Sequence, residues 1–172
     1  MQSAVTALIA ELDTEAATTR RVLQRVPGDR LAWQPHAKSM TLGQLAHHIA
    51  SIPGSIARMA ALDGFDMATR KMDYASCESV DALLETHDTS VAAAKAFLSG
   101  LTPEAAAAIW RLTFGEREIF AIPRAGVVRT MCLNHLIHHR GELVVYLRLL
   151  DVPVPVVYGR SADENPFAQP AA

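Results

Sequence analysis

The chain has 172 residues, of which half are apolar and a fifth are charged, and its formal net charge is −2. This length is enough to bury one hydrophobic core but short for two, and the sequence lacks the clustered lysines and arginines of a protein that binds the phosphates of nucleic acids. We therefore expect one globular domain over residues 1–172, with no nucleic-acid partner.

Three features of the sequence bear on the cellular compartment. The N-terminus has no basic start before its short apolar run, so it does not resemble a signal peptide. No stretch approaches the roughly 18 uninterrupted apolar residues of a membrane span. Cys77 and Cys132 lie far apart and form no CxxC pair, which fits a reducing compartment. We expect a cytoplasmic protein with no membrane partner.

The first half of the chain carries two helix patterns. Apolar residues recur at three- and four-residue spacing from about Ser3 to Val26, which predicts an amphipathic helix that Pro27-Gly28 ends. After an irregular connector, Thr41-Leu-Gly-Gln44 has the pattern of a capping box, in which the Thr and Gln side chains satisfy backbone donors at a helix start. A second helix follows, and Pro53 inside it should kink or split it.

The second half predicts two more helices and a shorter motif between them. A third helix spans roughly Ser79 to Ser99, and the stretch Ile109 to Ile122 alternates loosely, as in a small hairpin or an extended flap. The fourth helix, about Gly126 to Leu150, is apolar nearly all the way round, which is typical of the most buried helix of a bundle. Residues 155–172 contain several prolines and are expected to form an extended tail. Together these patterns predict an all-α fold, a four-helix bundle with a short hairpin or flap before the last helix.

Five of the seven histidines fall in two clusters, one on the second predicted helix and one on the fourth. His135 and His139 stand at i and i+4, so on a helix both imidazoles project from one face, one turn apart. At about 100° per residue, His48 lies at the edge of the buried side of its helix, whereas His47 points to solvent. The sequence therefore predicts that His48, His135 and His139 together hold one divalent metal ion.

Three further side chains of the fourth helix lie near the predicted ligands. On the helical wheel Glu142 and Tyr146 fall within about 60° of the two histidine ligands of that helix, and His138 lies at the edge of the group. These side chains could hydrogen-bond a ligand, hold a water or carry a proton. Leu136 stands where a zinc protease of the HExxH type has its catalytic glutamate, which excludes that class of enzyme.

Three segments of the sequence resemble the DinB/YfiT-like family of bacterial proteins. The first is Trp33-Gln-Pro-His36 followed by Ser39-Met-Thr-Leu-Gly-Gln-Leu-Ala-His-His-Ile-Ala50. The second and stronger match is Asn134-His-Leu-Ile-His-His-Arg-Gly-Glu-Leu-Val-Val-Tyr-Leu-Arg148. The tail from Val152 to Glu164 is also similar, so the resemblance covers most of the chain.

The resemblance implies an up-down-down-up four-helix bundle that is commonly a homodimer. It also implies a histidine triad for a divalent metal, and the triad maps onto the three residues that the wheel selects. Two positions depart from the family pattern, because many relatives carry Gln in place of Glu142 and Pro in place of Arg160. The first departure adds a carboxylate close to the expected site.

The resemblance further implies a metal-dependent enzyme, because family members include transferases that use low-molecular-weight thiols and proteins described as metal-dependent hydrolases. The ion would activate a thiolate or water for a small-molecule substrate. Zinc is favoured by availability, and the ligands also accept Ni, Fe, Co or Mn. Two alternatives remain open at this point. The ion could instead brace a non-catalytic stress-response or small-molecule-binding protein, or the histidines could pair with carboxylates and hold no metal.

Overall fold

The structure of the protein is a computed structural model that describes residues 2–70 and 74–168, without the side chains of residues 2 and 3. The end of the expected extended tail, residues 169–172, lies outside the described residues. The helices are α1 (Gln2–Leu23), α2 (Leu42–Ala60), α3 (Val80–Ser99), α4 (Pro103–Ala107), α5 (Arg124–Val127) and α6 (Asn134–Leu149). The strands are β1 (Gly64–Asp66), β2 (Ile109–Phe114) and β3 (Arg117–Pro123). Among the described helices, none is both long and apolar enough to cross a membrane.

The core lies between α1, α2, α3 and α6. Helix α2 packs against both α3 and α6, and α1 also packs against α3 and α6. Each of these helices contributes leucine or isoleucine side chains that are fully shielded from solvent, among them Leu12, Leu23, Leu45, Ile49, Leu83, Leu98, Leu136 and Leu143. Burial of these side chains, each contributing about 1.5–3 kcal/mol, is the main stabilising term.

The prediction of an all-α bundle is wrong. The protein is helix-rich but mixed, because β1, β2 and β3 form a three-stranded sheet in that order. Strands β2 and β3 form an antiparallel hairpin that turns at Gly115, where φ is +57°. Strand β1 pairs in parallel with β2, and the Asp66 carboxylate accepts hydrogen bonds from the backbone of both Ala68 and Gly115, each at 2.9 Å. A three-residue strand whose partner lies more than 40 residues away has no periodic signal in the sequence.

Helix α2 begins as predicted and continues through Pro53. The Thr41 hydroxyl accepts from the Gln44 amide at 3.2 Å, and the Gln44 side chain accepts from the Thr41 N–H at 2.9 Å, which is the capping box. The expected split at Pro53 does not occur. The N–H of the next residue, Gly54, donates to the Ser90 hydroxyl of α3 at 2.7 Å, so this backbone donor is satisfied by the neighbouring helix.

The last helix is less buried than its composition suggests. It begins as α5, continues through a π-helical turn at Val128–Leu133, and becomes α6. Only one side of α6 is buried, and Val145 and Leu149 on the other side are 56% and 58% exposed. The near-uniform apolar composition therefore does not mean burial on all sides, since the exposed side carries apolar residues as well.

A buried arginine joins α6 to α1 and to the C-terminal tail. Arg140 is 1% exposed, and its guanidinium lies 2.6 Å from the carboxylate of Glu15, itself 8% exposed. The same guanidinium donates to the Thr19 hydroxyl at 3.1 Å and to the Tyr158 hydroxyl at 2.7 Å. The Tyr158 hydroxyl in turn donates to Glu15 at 2.9 Å. Each charge in this cluster is therefore paired and hydrogen-bonded, as burial requires.

We predict that Arg140→Ala lowers the free energy of unfolding by about 3–5 kcal/mol, because it leaves the Glu15 carboxylate buried without its counter-charge. Urea unfolding followed by circular dichroism measures this loss. The control is Arg148→Ala, which breaks the exposed ion pair with Asp163 and should cost clearly less. Equal losses in the two variants would contradict the prediction.

Candidate metal centre

Packing of α2 against α6 brings His48, His135 and His139 together. The ring centroids lie 5.1 Å apart for His48 and His135, 4.7 Å for His48 and His139, and 4.6 Å for His135 and His139. One nitrogen from each ring lies within 4.8 Å of the others, and all three residues are partly buried. The three histidines that the sequence singles out therefore form a cluster that could hold a metal ion.

The spacing of two ring nitrogens fits a shared ion. His48 Nε2 and His135 Nε2 are 3.3 Å apart. A tetrahedral zinc ion with Zn–N bonds of about 2.0–2.1 Å separates two of its nitrogen ligands by about 3.3–3.4 Å. The two nitrogens thus have the separation that one ion requires, without movement of either helix.

Each of the two α6 histidines of the triad also has a hydrogen-bond partner outside the triad. The Nδ1 of His139 lies 2.6 Å from the Oε2 atom of Glu142, one turn further along α6. His135 forms a hydrogen bond with the backbone of Met131, in the π-helical turn that precedes α6. A neutral imidazole that donates through Nδ1 presents the lone pair of Nε2 to an ion. The contact with Glu142 therefore favours the tautomer of His139 that a metal ligand needs.

Glu142 also contacts His138. Its Oε1 atom lies 3.3 Å from His138 Nε2, and the His138 side chain is 64% exposed. His138, His139 and Glu142 form a second cluster whose ligand atoms lie within 4.8 Å of one another. This second cluster shares His139 with the triad, so Glu142 links the triad to a solvent-exposed imidazole.

The side chain of Tyr146 contacts the connector between α1 and α2. Its hydroxyl donates to the Met40 carbonyl at 3.2 Å, and its ring meets Trp33 edge-on, with the centroids 5.6 Å apart. The phenol is thus engaged with the connector between α1 and α2. Its contacts give it the role of anchoring that connector to α6.

Burial favours the neutral form of two of the three triad histidines. Burial lowers the pKa of His48 to about 4, and the neighbouring His139, His135 and Arg70 act in the same direction. Burial likewise lowers the pKa of His135, with smaller effects from His139 and His138. Neutral imidazoles have free lone pairs at neutral pH, which is the state that binds a cation.

Two residues close to the triad carry no signal in the sequence. Arg70 follows the short 3-10 helix Met67–Thr69, and its positive charge acts on both His48 and His135. The exposed Tyr74 ring lies edge-on to His48, with the centroids 6.4 Å apart. Both belong to the stretch between β1 and α3, which has no helical periodicity that could place them.

We predict that the metal-free protein loses stability as the pH falls from about 6.5 to about 4. His48 has a pKa of 6.5 when unperturbed and of about 4 in the fold. In that interval the unfolded chain binds the proton and the folded chain does not, so protonation favours unfolding. Unfolding free energies measured across this pH range test the prediction.

The variant His48→Gln should flatten this pH dependence, because it removes the group whose pKa differs between the two states. The matched control is His36→Gln, which removes an exposed histidine of the connector. The control should keep the wild-type slope. An unchanged slope in His48→Gln would show that another group causes the acid sensitivity.

Comparison with known proteins shows which family the sequence matches. A model of the DinB family matches residues 1–169. Among solved structures, a DinB-like protein from Bacillus cereus is 22% identical with a TM-score of 0.69, covering 88% of this chain and 95% of its own. A DinB-like protein from Bacillus subtilis is 18% identical with a TM-score of 0.67, covering 90% of this chain and 99% of its own.

At these identities the solved structures show likeness of fold, and none of the curated proteins compared with the chain matches it. The family model, by contrast, spans nearly the whole sequence, including both helices that carry the triad. On that match the chain belongs to the DinB family.

Proposed function

We propose that His48, His135 and His139 bind one divalent metal ion per chain, zinc by availability, and that the protein is a metal-dependent enzyme of the transferase or hydrolase type. The observation that carries the proposal is the convergence of three imidazoles from two helices, one of which has its Nδ1 engaged by Glu142. When bound, the ion supplies a positive charge that lowers the pKa of a thiol or water that it coordinates.

The protein residues contribute orientation and access. Glu142 holds the His139 ring through Nδ1, which leaves its Nε2 free for an ion, and a hydrogen bond with the Met131 backbone restrains the His135 ring. Three protein ligands leave a tetrahedral ion one position for an exogenous ligand. The partial burial of all three histidines is compatible with entry of a small molecule from solvent. This arrangement favours a small-molecule substrate, and the family suggests a low-molecular-weight thiol.

The alternative is a non-catalytic role, in which an ion bound by the same three histidines holds α2 against α6. A bracing ion needs no free coordination position. Among the described residues the triad offers three ligand atoms, and a carboxylate that contacts it, Glu142, is engaged by His139 and His138. This donor count supports the enzyme over the brace.

We predict that tag-free protein binds one equivalent of zinc and turns over a thiol with an electrophile, and that His139→Ala abolishes both. The variant removes one of three ligands, so metal affinity should fall by orders of magnitude. Elemental analysis and calorimetric titration measure binding, and thiol consumption measures activity. His138→Ala is the matched control, because it removes an exposed imidazole of the same helix. Wild-type turnover in His139→Ala would end the catalytic proposal, and absence of metal from the wild type would end the metal proposal.

The same titration isolates the role of Glu142. Loss of a hydrogen-bond partner of a metal-bound histidine typically weakens metal affinity about 10–100-fold. Glu142→Ala should show this loss, whereas Glu142→Gln keeps an oxygen that accepts the Nδ1 proton and should stay close to wild type. Equal losses in the two variants would assign the effect to the negative charge.

We also propose that the protein is a homodimer located in the cytoplasm. Val145 and Leu149 stand one turn apart on α6, and Tyr158 of the tail is 69% exposed. These three residues border an apolar groove between α6 and the tail, and the groove has a volume of about 600 Å³. Exposed apolar surface of this kind marks interaction sites, and the dimers of the family suggest a second copy as the partner. Both described cysteines are buried and free, which fits the reducing cytoplasm.

We predict that Val145→Asp combined with Leu149→Asp converts a dimer into monomers, because the buried carboxylates would oppose association. Sedimentation velocity measures the oligomeric state. Ile119→Asp is the control, since Ile119 is a 44% exposed apolar residue of β3 outside this groove. A dimer that survives the double substitution would place the interface elsewhere.

A further inference from the structure

A second groove lies beside the triad and carries two arginines. It is lined by Ser55, Arg58, Met59, Leu62, Phe65 and Arg70 and has a volume of about 270 Å³. The groove combines apolar side chains with two guanidinium groups.

Arg58 and Arg70 differ from most arginines of this protein. Among the described residues neither forms an ion pair with a carboxylate, whereas Arg20, Arg21, Arg25, Arg111, Arg124, Arg129, Arg140 and Arg148 all do. Arg58 donates one hydrogen bond, from Nη2 to the Ser55 hydroxyl at 3.1 Å. Two guanidinium groups on one groove that have no carboxylate partner in the described part of the chain can bind an anionic ligand, because Arg holds a carboxylate through charge-assisted hydrogen bonds.

The groove and the triad are neighbours along α2. Ser55 stands seven residues after His48, so it lies on the same face of the helix two turns away, about 10 Å along its axis. Arg70 connects the two sites, because it lines the groove while its charge acts on both His48 and His135. A molecule of moderate length can therefore reach both sites at once.

We propose that this groove binds the carboxylate of a small-molecule substrate whose thiol end reaches the histidine triad. The inference rests on the proposed function, since it assigns the substrate of that same site. The guanidinium groups of Arg58 and Arg70 hold the anionic end, and the apolar side chains of Met59 and Phe65 contact the chain between the two ends. The substrate class is a thiol whose carboxylate is separated from its sulfur by a short apolar chain.

The test compares two thiols of equal length and different charge. Protein loaded with Co(II) is titrated with mercaptohexanoate and with mercaptohexanol, and the thiolate-to-cobalt absorption band reports binding without turnover. We expect the carboxylate thiol to bind about tenfold more tightly than the alcohol in the wild type, as two charge-assisted contacts would give. Arg58→Gln combined with Arg70→Gln should abolish this preference and leave the affinity for mercaptohexanol unchanged.

Arg160→Gln is the matched control, because it removes an exposed arginine that also has no carboxylate partner among the described residues and that lines the other groove. It should keep the tenfold preference, which separates the groove from the general charge of the protein. Equal affinities for the two thiols in the wild type, or a preference that persists in the double variant, would overturn the inference while leaving the metal site intact. Failure of both thiols to produce a band in cobalt-loaded protein would instead refute the proposed thiol chemistry, and this inference with it.

Discussion

The packing of α2 against α6 is the contact on which the site depends, because each helix alone supplies an incomplete set of ligands. Leu45 and Ile49 of α2 and Leu136 and Leu143 of α6 are all fully buried, and they flank the histidines in the sequence of both helices. The apolar side chains therefore fix the distance between the backbones. The packing of these apolar side chains, which involves neither imidazole, brings His48 Nε2 to 3.3 Å from His135 Nε2.

Two neighbouring residues of α6, His139 and Arg140, contact different parts of the protein. His139 faces α2 and the triad, whereas Arg140, the next residue, faces α1 and the tail and pairs there with Glu15. Successive residues of an α-helix point about 100° apart, so a rotation of α6 that moved one of them would also displace the other. The buried ion pair thereby fixes the rotation of α6, and with it the direction in which both of its triad histidines point.

The sequence was sufficient to predict the convergence of the three histidines, the start of α2 and a hairpin or flap before the last helix, but not the pairing of β1 with that hairpin. His135 and His139 share one helix face, and the Thr41–Gln44 capping box is local, so each follows from spacing within one helix. The pairing of β1 with β2 joins segments whose partners are far apart in the chain, and Asp66, which supports it, looks like an ordinary loop residue. Pro53 was expected to kink or split α2, but the helix continues through it, and only the structure shows that Ser90 of another helix satisfies the adjacent backbone donor.

Two charged residues act on the triad, Glu142 from α6 and Arg70 from the segment after β1. Glu142 contacts His139 on α6, and its carboxylate makes that imidazole a stronger electron donor to a cation. Arg70 acts on His48 and His135 from the segment after β1, and a guanidinium close to a bound cation is unfavourable because the two charges repel. Imidazole ligands carry no negative charge that could offset that repulsion. An anionic ligand between the cation and Arg70 would offset it, so the same electrostatics that weaken the site for a cation alone favour the joint binding of a cation and an anion.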